Sequence, residues 1–184
     1  VGWERERAAR RRPAASQLRP SRDAGPLLIC LDTSGSMEGP HGSLARAAVL
    51  EALRQAQRGK RDAYVLAFGG QGEVQAMPLR ASAPALFQLA GFLKGGFGGG
   101  TCVEAPLEEC IRLVGQQEWA EADILLLTDG EFAPLRPEAA RGLSKAREAL
   151  GLRLHGLLVQ RYPAPQPQVL AATCDAVHVL TVSR

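Results

Sequence analysis

Asp32, Ser34 and Ser36 stand within five residues of one another in Leu31-Asp32-Thr33-Ser34-Gly35-Ser36-Met37. One carboxylate and two hydroxyls offer oxygen atoms only. Such donors suit a hard divalent cation, above all Mg²⁺, which takes about six oxygens at roughly 2.0–2.1 Å and keeps several waters. The same residue types have a second use: Asp or Ser ahead of a helix commonly accepts from the free N–H groups of its first turn. The segment alone leaves both uses open.

Its setting bears on the choice. The segment follows the apolar run Leu27–Leu31 and precedes a helical pattern that begins near Gly42. A buried strand therefore hands over to a helix here. In an open α/β sheet such a turn faces the crevice at the carboxyl ends of the strands, where ligands bind.

The rest of the chain reads as the scaffold for that turn. Leu27–Asp32 shows no alternation of apolar and polar residues, as expected of a central strand buried on both faces. Ala45, Val49, Ala52, Leu53 and Ala56 form one face of a first helix from about Gly42 to Gln57, stopped by Gly59. Ala63–Phe68 is a second strand. The short connection Gly69-Gly70-Gln71-Gly72 cannot hold a helical crossover, so Glu73–Met77 is expected as an antiparallel edge strand. Leu86, Leu89, Ala90 and Leu93 indicate a short helix. The run Gly95-Gly96-Phe97-Gly98-Gly99-Gly100 then leads to Thr101 and a helix marked by Val103, Leu107, Cys110, Ile111 and Val114. Ala122–Thr128 is a further core strand, and Asp129 closes it in Leu127-Thr128-Asp129-Gly130. A loop with Pro134 and Pro137, a helix through Ala139, Leu143, Ala146 and Leu150, and a strand over Leu152–Val159 come next. The loop Arg161–Pro167, a short helix over Val169–Ala172 and a last strand over Ala176–Leu180 complete the chain. Strands alternating with helices predict a doubly wound, mostly parallel α/β sheet with one antiparallel edge strand and helices on both faces.

Composition narrows the function. The chain has 184 residues, of which 46% are apolar, enough for one domain with a sizeable core and an arm. No apolar run approaches the roughly 18 residues of a membrane span. The chain opens on Val1 rather than Met, which suggests a fragment or a processed chain. The net charge of +3 is uneven: residues 1–25 hold seven Arg against Glu4, Glu6 and Asp23, and the remainder is close to neutral. Residues 1–25 read as a basic linker or the end of an upstream region, ahead of a domain over 26–184. Trp3 is the only aromatic residue in that arm, so the interleaving that stacks bases is missing and no nucleic-acid partner is expected. Cys30, Cys102, Cys110 and Cys174 form no C-x-x-C, and Cys30 and Cys110 fall on apolar faces, which fits a reducing, cytoplasmic setting.

Asp32-Thr33-Ser34-Gly35-Ser36 resembles the D-x-S-x-S signature of von Willebrand factor A domains, whose metal-ion-dependent adhesion site also uses a threonine on a later loop and an aspartate after a later strand. Thr101 and Asp129 match those two positions in order. Taken singly, Thr101 reads better as a helix cap, and Thr-Asp-Gly is a common turn. The resemblance implies a site of Asp32, Ser34, Ser36, Thr101 and Asp129 holding Mg²⁺, with Mn²⁺ or Ca²⁺ as alternatives. A coordination position is left for an Asp or Glu of a partner protein. Cys102 departs from the family, where Asp often follows the threonine. Segments 25–37 and 97–101, Glu118-Trp119 and Ala122-Asp123 look like bacterial intracellular members of the ViaA/CoxE type, which work with MoxR-family AAA+ ATPases. That implies an adaptor between such an ATPase and a target. Lys94 and Phe97 suit a partner-facing rim.

The alternative is an enzyme, a metal-dependent phosphatase or phosphotransferase on a similar sheet. A haloacid-dehalogenase-type enzyme needs D-x-D after its first strand, and Ser34 stands at the second Asp. A P-loop needs Lys before its Ser or Thr, and Gly100 precedes Thr101. No nucleophile is visibly paired with a base.

Overall fold

The computed structural model describes residues 25–80, 86–160 and 167–181. Apart from Gly25, the basic arm over 1–25 lies outside the described residues, as does most of the 161–167 loop. Six strands form one sheet in the order β3-β2-β1-β4-β5-β6. They are β1 (Leu27–Asp32), β2 (Ala63–Phe68), β3 (Val74–Leu79), β4 (Asp123–Thr128), β5 (Arg153–Gln160) and β6 (Ala176–Thr181). All neighbours run parallel except β3 on β2. The helices are α1 (Pro40–Arg58), α2 (Leu86–Lys94), α3 (Glu104–Val114), α4 (Pro137–Leu150) and α5 (Gln168–Thr173). This is the doubly wound, mostly parallel sheet expected from the alternation of strands and helices.

β1 lies at the middle because its two faces are both apolar. Leu28 and Cys30 pack with Leu107, Cys110 and Leu113 of α3 and with Leu143 and Ala146 of α4. Leu27, Ile29 and Leu31 pack on the other side with Ala45, Val49 and Leu53 of α1 and with Leu89 and Leu93 of α2. Full burial of each such leucine or isoleucine contributes about 1.5–3 kcal/mol. Cys30 and Cys110 meet across one of these faces, Sγ to Sγ at 3.4 Å, and serve as packing residues. The edge strand β3 accepts Pro78, which has no N–H to give, because only one of its sides is paired.

Several boundaries differ from the sequence reading. β3 runs from Val74 to Leu79 rather than Glu73–Met77, because every residue of β2 finds a partner on it. α1 starts at Pro40, not Gly42, and Pro137 opens α4 instead of lying in the loop before it. In both cases proline occupies the first turn, where its missing N–H leaves nothing unpaired. α4 ends at Gly151 in the left-handed region (φ 63°), whose N–H bonds Arg147 O. Trp119 is only 3% exposed and packs edge-on to Tyr64, ring centroids 5.4 Å apart.

The winding direction locates the crevice. From β1 the chain moves through α1 to β2 on one side, whereas β4 lies against β1 on the other and leads away to β5 and β6. The β1–β4 junction is therefore the switch point, and its carboxyl end opens between the two layers of helices.

Gly156 of β5 has no room for a side chain: a Cβ there would lie 2.9 Å from Cys174 Sγ and 3.3 Å from Leu170 Cδ1. Gly156→Ala is expected to cost about 1–3 kcal/mol through overpacking. Urea denaturation checks this, with a lowered midpoint and an unchanged slope as the expected result.

Candidate functional site

Register places the site. Leu31 pairs with Leu127 across β1 and β4, so the next residues, Asp32 and Thr128, end their strands side by side. Thr128 Oγ1 donates to Asp32 Oδ2 at 2.7 Å, and Ser34 N–H donates to Asp32 Oδ1 at 3.0 Å. Thr128 Oγ1 in turn accepts from Gly130 N–H at 3.0 Å. Both carboxylate oxygens thus have a protein donor, yet among the described residues the charge itself has no counter-ion. Asp32 is 1% exposed, and no salt bridge among the described residues reaches it. Burial pushes its carboxyl pKa above the usual range, the Ser34 and Thr128 bonds oppose that, and the neighbouring Asp129 adds to it.

After Asp32 the chain tightens into a 3-10 turn over Gly35–Met37. The turn brings Ser34 Oγ and Ser36 Oγ to 3.3 Å. Ser34 is buried and Ser36 exposed. Ser34 makes no side-chain cap to this turn, and Gly39 rather than a motif residue caps α1. The hydroxyls are therefore not consumed by helix capping.

The glycine run closes over this turn. Gly35 N–H donates to Gly99 O at 2.9 Å, and Gly98 N–H donates to Thr33 O at 3.1 Å. A Cβ on Gly35 would press on Gly98 O at 3.1 Å, so the close approach of the two backbones requires glycine there. Thr33 Oγ1 donates to Phe68 O at 2.8 Å, which fastens the motif to the end of β2. Phe97 packs against Gly69 as well as flanking the run.

The structure therefore joins Asp32 to Ser34 and Ser34 to Ser36. Asp129 follows Thr128 on the adjoining loop, half-buried, with Oδ1 accepting from Glu131 N–H at 3.0 Å. Thr101 stands at the far end of the glycine run. Contrary to the expectation from sequence, it does not immediately precede a helix: α3 starts at Glu104 with Val103 as its cap residue. Thr101 lines a cavity of about 450 Å³ with Cys102, Pro134 and Arg136. Cys102 is half-buried, and Arg136 is paired with Glu104 at 2.5 Å. His41 lies in the first turn of α1, with Nδ1 3.4 Å from Ser36 O. Among the described residues no three His, Cys, Asp or Glu side chains gather closely enough to hold a metal. An ion here would depend on hydroxyls.

Thr128 went unnoticed in the sequence, although it is the sole hydroxyl in an otherwise apolar stretch directly before Asp129. Removing its Oγ strands Asp32 Oδ2 and Gly130 N–H together. Thr128→Val is nearly isosteric, so its expected cost of about 1–3 kcal/mol reflects those unpaired groups. Thr128→Ser should retain most of the stability. Thermal and urea unfolding of the two variants distinguish hydrogen bonding from packing.

The family model for the von Willebrand factor type A domain matches residues 27–131. An uncharacterized protein of Methanocaldococcus jannaschii is 31% identical over 156 residues, covering 83% of this chain and 34% of that protein. Regulatory protein ViaA of Proteus mirabilis is 28% identical over 154 residues, covering 84% and 31%. The chain spans about a third of the length of these relatives. Among solved structures, the von Willebrand domain of the type V pili tip protein Mfa5 from Porphyromonas gingivalis superposes with a TM-score of 0.65 at 9% identity, over 86% of this chain and 90% of that one. Proximal thread matrix protein 1 of the mussel byssus, with a zinc-occupied metal-ion-dependent adhesion motif, gives 0.63 at 16% identity, over 85% and 43%. At such identities the solved structures speak for the fold. With the family match over more than half its length, the chain belongs to the von Willebrand factor type A domain family.

Proposed function

We propose that this domain is a metal-dependent protein-binding module. A divalent cation, Mg²⁺ first among the candidates, is held by Asp32, Ser34, Ser36, Thr101 and Asp129, directly or through water. One coordination position is taken by an Asp or Glu carboxylate of a partner protein. The observation that carries this reading is the buried Asp32 carboxylate, which has no counter-ion among the described residues and lies at a strand end beside two hydroxyls. Burial of an uncompensated charge is costly, and a cation at this point removes the cost. Two adjacent ligands of an octahedral Mg²⁺ stand about 2.9 Å apart for bonds of roughly 2.0–2.1 Å. The Ser34 and Ser36 oxygens, at 3.3 Å, need little movement to share one ion.

The donor chemistry also favours binding over turnover. When bound, the ion supplies a Lewis-acidic point of attachment. The hydroxyls of Ser34, Ser36 and Thr101 are neutral, so they leave the ion's charge largely available to an incoming carboxylate. The chain's own part is to hold these groups rigid: Thr128 and the Ser34 amide orient Asp32, and the Gly98–Gly99 backbone clamps the turn that carries both serines.

The likeness to regulatory protein ViaA supports a narrower reading, an adaptor for a MoxR-type AAA+ ATPase acting in the cytoplasm. No helix among the described residues is long and apolar enough to cross a membrane.

Calorimetry with MgCl₂ tests the central part. The wild type should bind one ion, and added Mg²⁺ should raise its melting temperature, reversed by excess EDTA. Asp32→Asn should lose both effects, and unchanged binding would remove Asp32 from the site. Thr101→Ala should weaken affinity with little change in stability. Equal affinity in that variant would take Thr101 out of the ligand set while leaving the rest of the site standing.

A further inference from the structure

Beside the candidate centre lies a polar cavity of about 380 Å³, bounded by Asp32 and Ser34, the first turns of α1 and the end of α2. Two cations line it, Arg46 from α1 and Lys94 from the last turn of α2. Arg46 is half-buried, and its Nε donates to Leu93 O at 2.6 Å. That bond uses one of five guanidinium donors. Among the described residues no carboxylate pairs with Arg46 or with Lys94. Glu38 lines the same cavity, but its Oε1 lies toward the glycine run, 3.5 Å from where a Cβ on Gly98 would stand. A guanidinium that has lost part of its water and keeps most of its donors unused is complementary to an oxyanion, and its planar fork matches a carboxylate.

We infer that this cavity is a second carboxylate subsite, so that the partner supplies two acidic side chains, one to the metal and one to Arg46 and Lys94. The first contact rests on the metal reading above; the second rests on Arg46 and Lys94 alone. Because Asp32 and Ser34 belong to both the cavity wall and the proposed ion site, the two subsites adjoin. A short stretch of chain, or two neighbouring acids on a folded surface, reaches both. Arg46 receives the carboxylate in the interior, and Lys94, exposed on a flexible stem, adds charge at the mouth. A partner with a single exposed acid forgoes this contact. The pair of cations thus selects among acidic partners that the metal alone would accept equally.

The test uses capped peptides in saturating Mg²⁺: one with a single aspartate in a serine background, and a series with two aspartates separated by zero to three serines. Binding is read by calorimetry or by amide shifts in NMR. At least one two-aspartate peptide should bind about tenfold tighter than the single-aspartate peptide. Lys94→Gln, an exposed change that leaves the fold intact, should remove part of that gain, and Arg46→Gln most of it. Neither variant should alter Mg²⁺ affinity or binding of the single-aspartate peptide. If every two-aspartate peptide binds within about twofold of the single one, the statistical allowance for two equivalent groups, the second subsite is wrong and the metal reading stands. If the gain persists unchanged in Lys94→Gln and Arg46→Gln, the assignment to these residues is wrong. A gain that depends on Arg46 and Lys94 but not on Mg²⁺ upholds the subsite and sinks the metal reading. No binding by any peptide overturns both.

Discussion

A carboxylate closed off from water at the end of the central strand is the constraint on which the rest of the structure depends. Asp32 accepts one hydrogen bond from the backbone of its own turn and one from Thr128 on the neighbouring strand. Those bonds hold the side chain but do not neutralise it, and burial works against its charge. In an ordinary core such a group is paired with Arg or Lys, or replaced. Here the surrounding groups are hydroxyls, backbone amides and a second acid, Asp129. An environment of that kind is stable when a cation joins it and costly when none does.

The sheet explains how so local a demand is met. Parallel strands present all their carboxyl ends on one edge, and the reversal of winding between β1 and β4 leaves a gap between helix layers there. The β1–β4 register then sets Asp32 beside Thr128 with no loop rearrangement. The glycine run supplies what a regular element could not, a backbone close enough to bond Gly35 and Thr33 directly. Rigid strands fix the acid, and a tightly held turn fixes the serines. Beyond them lie Lys94 at the end of α2 and the glycine-run loop with Phe97 and Thr101, which on the proposed reading would face a partner.

Much of this is legible in the chain itself. Unbroken apolar runs at Leu27–Leu31 and Ile124–Leu127 mark doubly buried strands, and the short glycine-rich link after Phe68 forces β3 to turn back antiparallel. The Asp32-x-Ser34-x-Ser36 spacing is visible without any structure. Less visible is what depends on register or on contacts between distant segments. Thr128 reads as the tail of a strand until β1 and β4 are aligned. The pairing of Gly35 with Gly99 has no local signal, because glycine is equally at home in a loose linker. Thr101 misleads for a related reason: a hydroxyl three residues before a helix start resembles a cap, and only the backbone shows that Val103 takes that place. Arg46 lies between apolar positions of α1 and reads as a solvated charge, whereas its guanidinium turns back to the end of α2. In each case the missing information is three-dimensional proximity rather than residue type.

The most direct measurement of the central claim uses Mn²⁺ as a paramagnetic stand-in for Mg²⁺ on isotope-labelled protein. If one ion is shared by three distant segments, substoichiometric Mn²⁺ should broaden the amide signals of residues 32–36, 101 and 129 first and together, and Mg²⁺ should restore them. Broadening spread over exposed acids such as Glu138 and Glu148, with residues 32–36 unaffected, would contradict it.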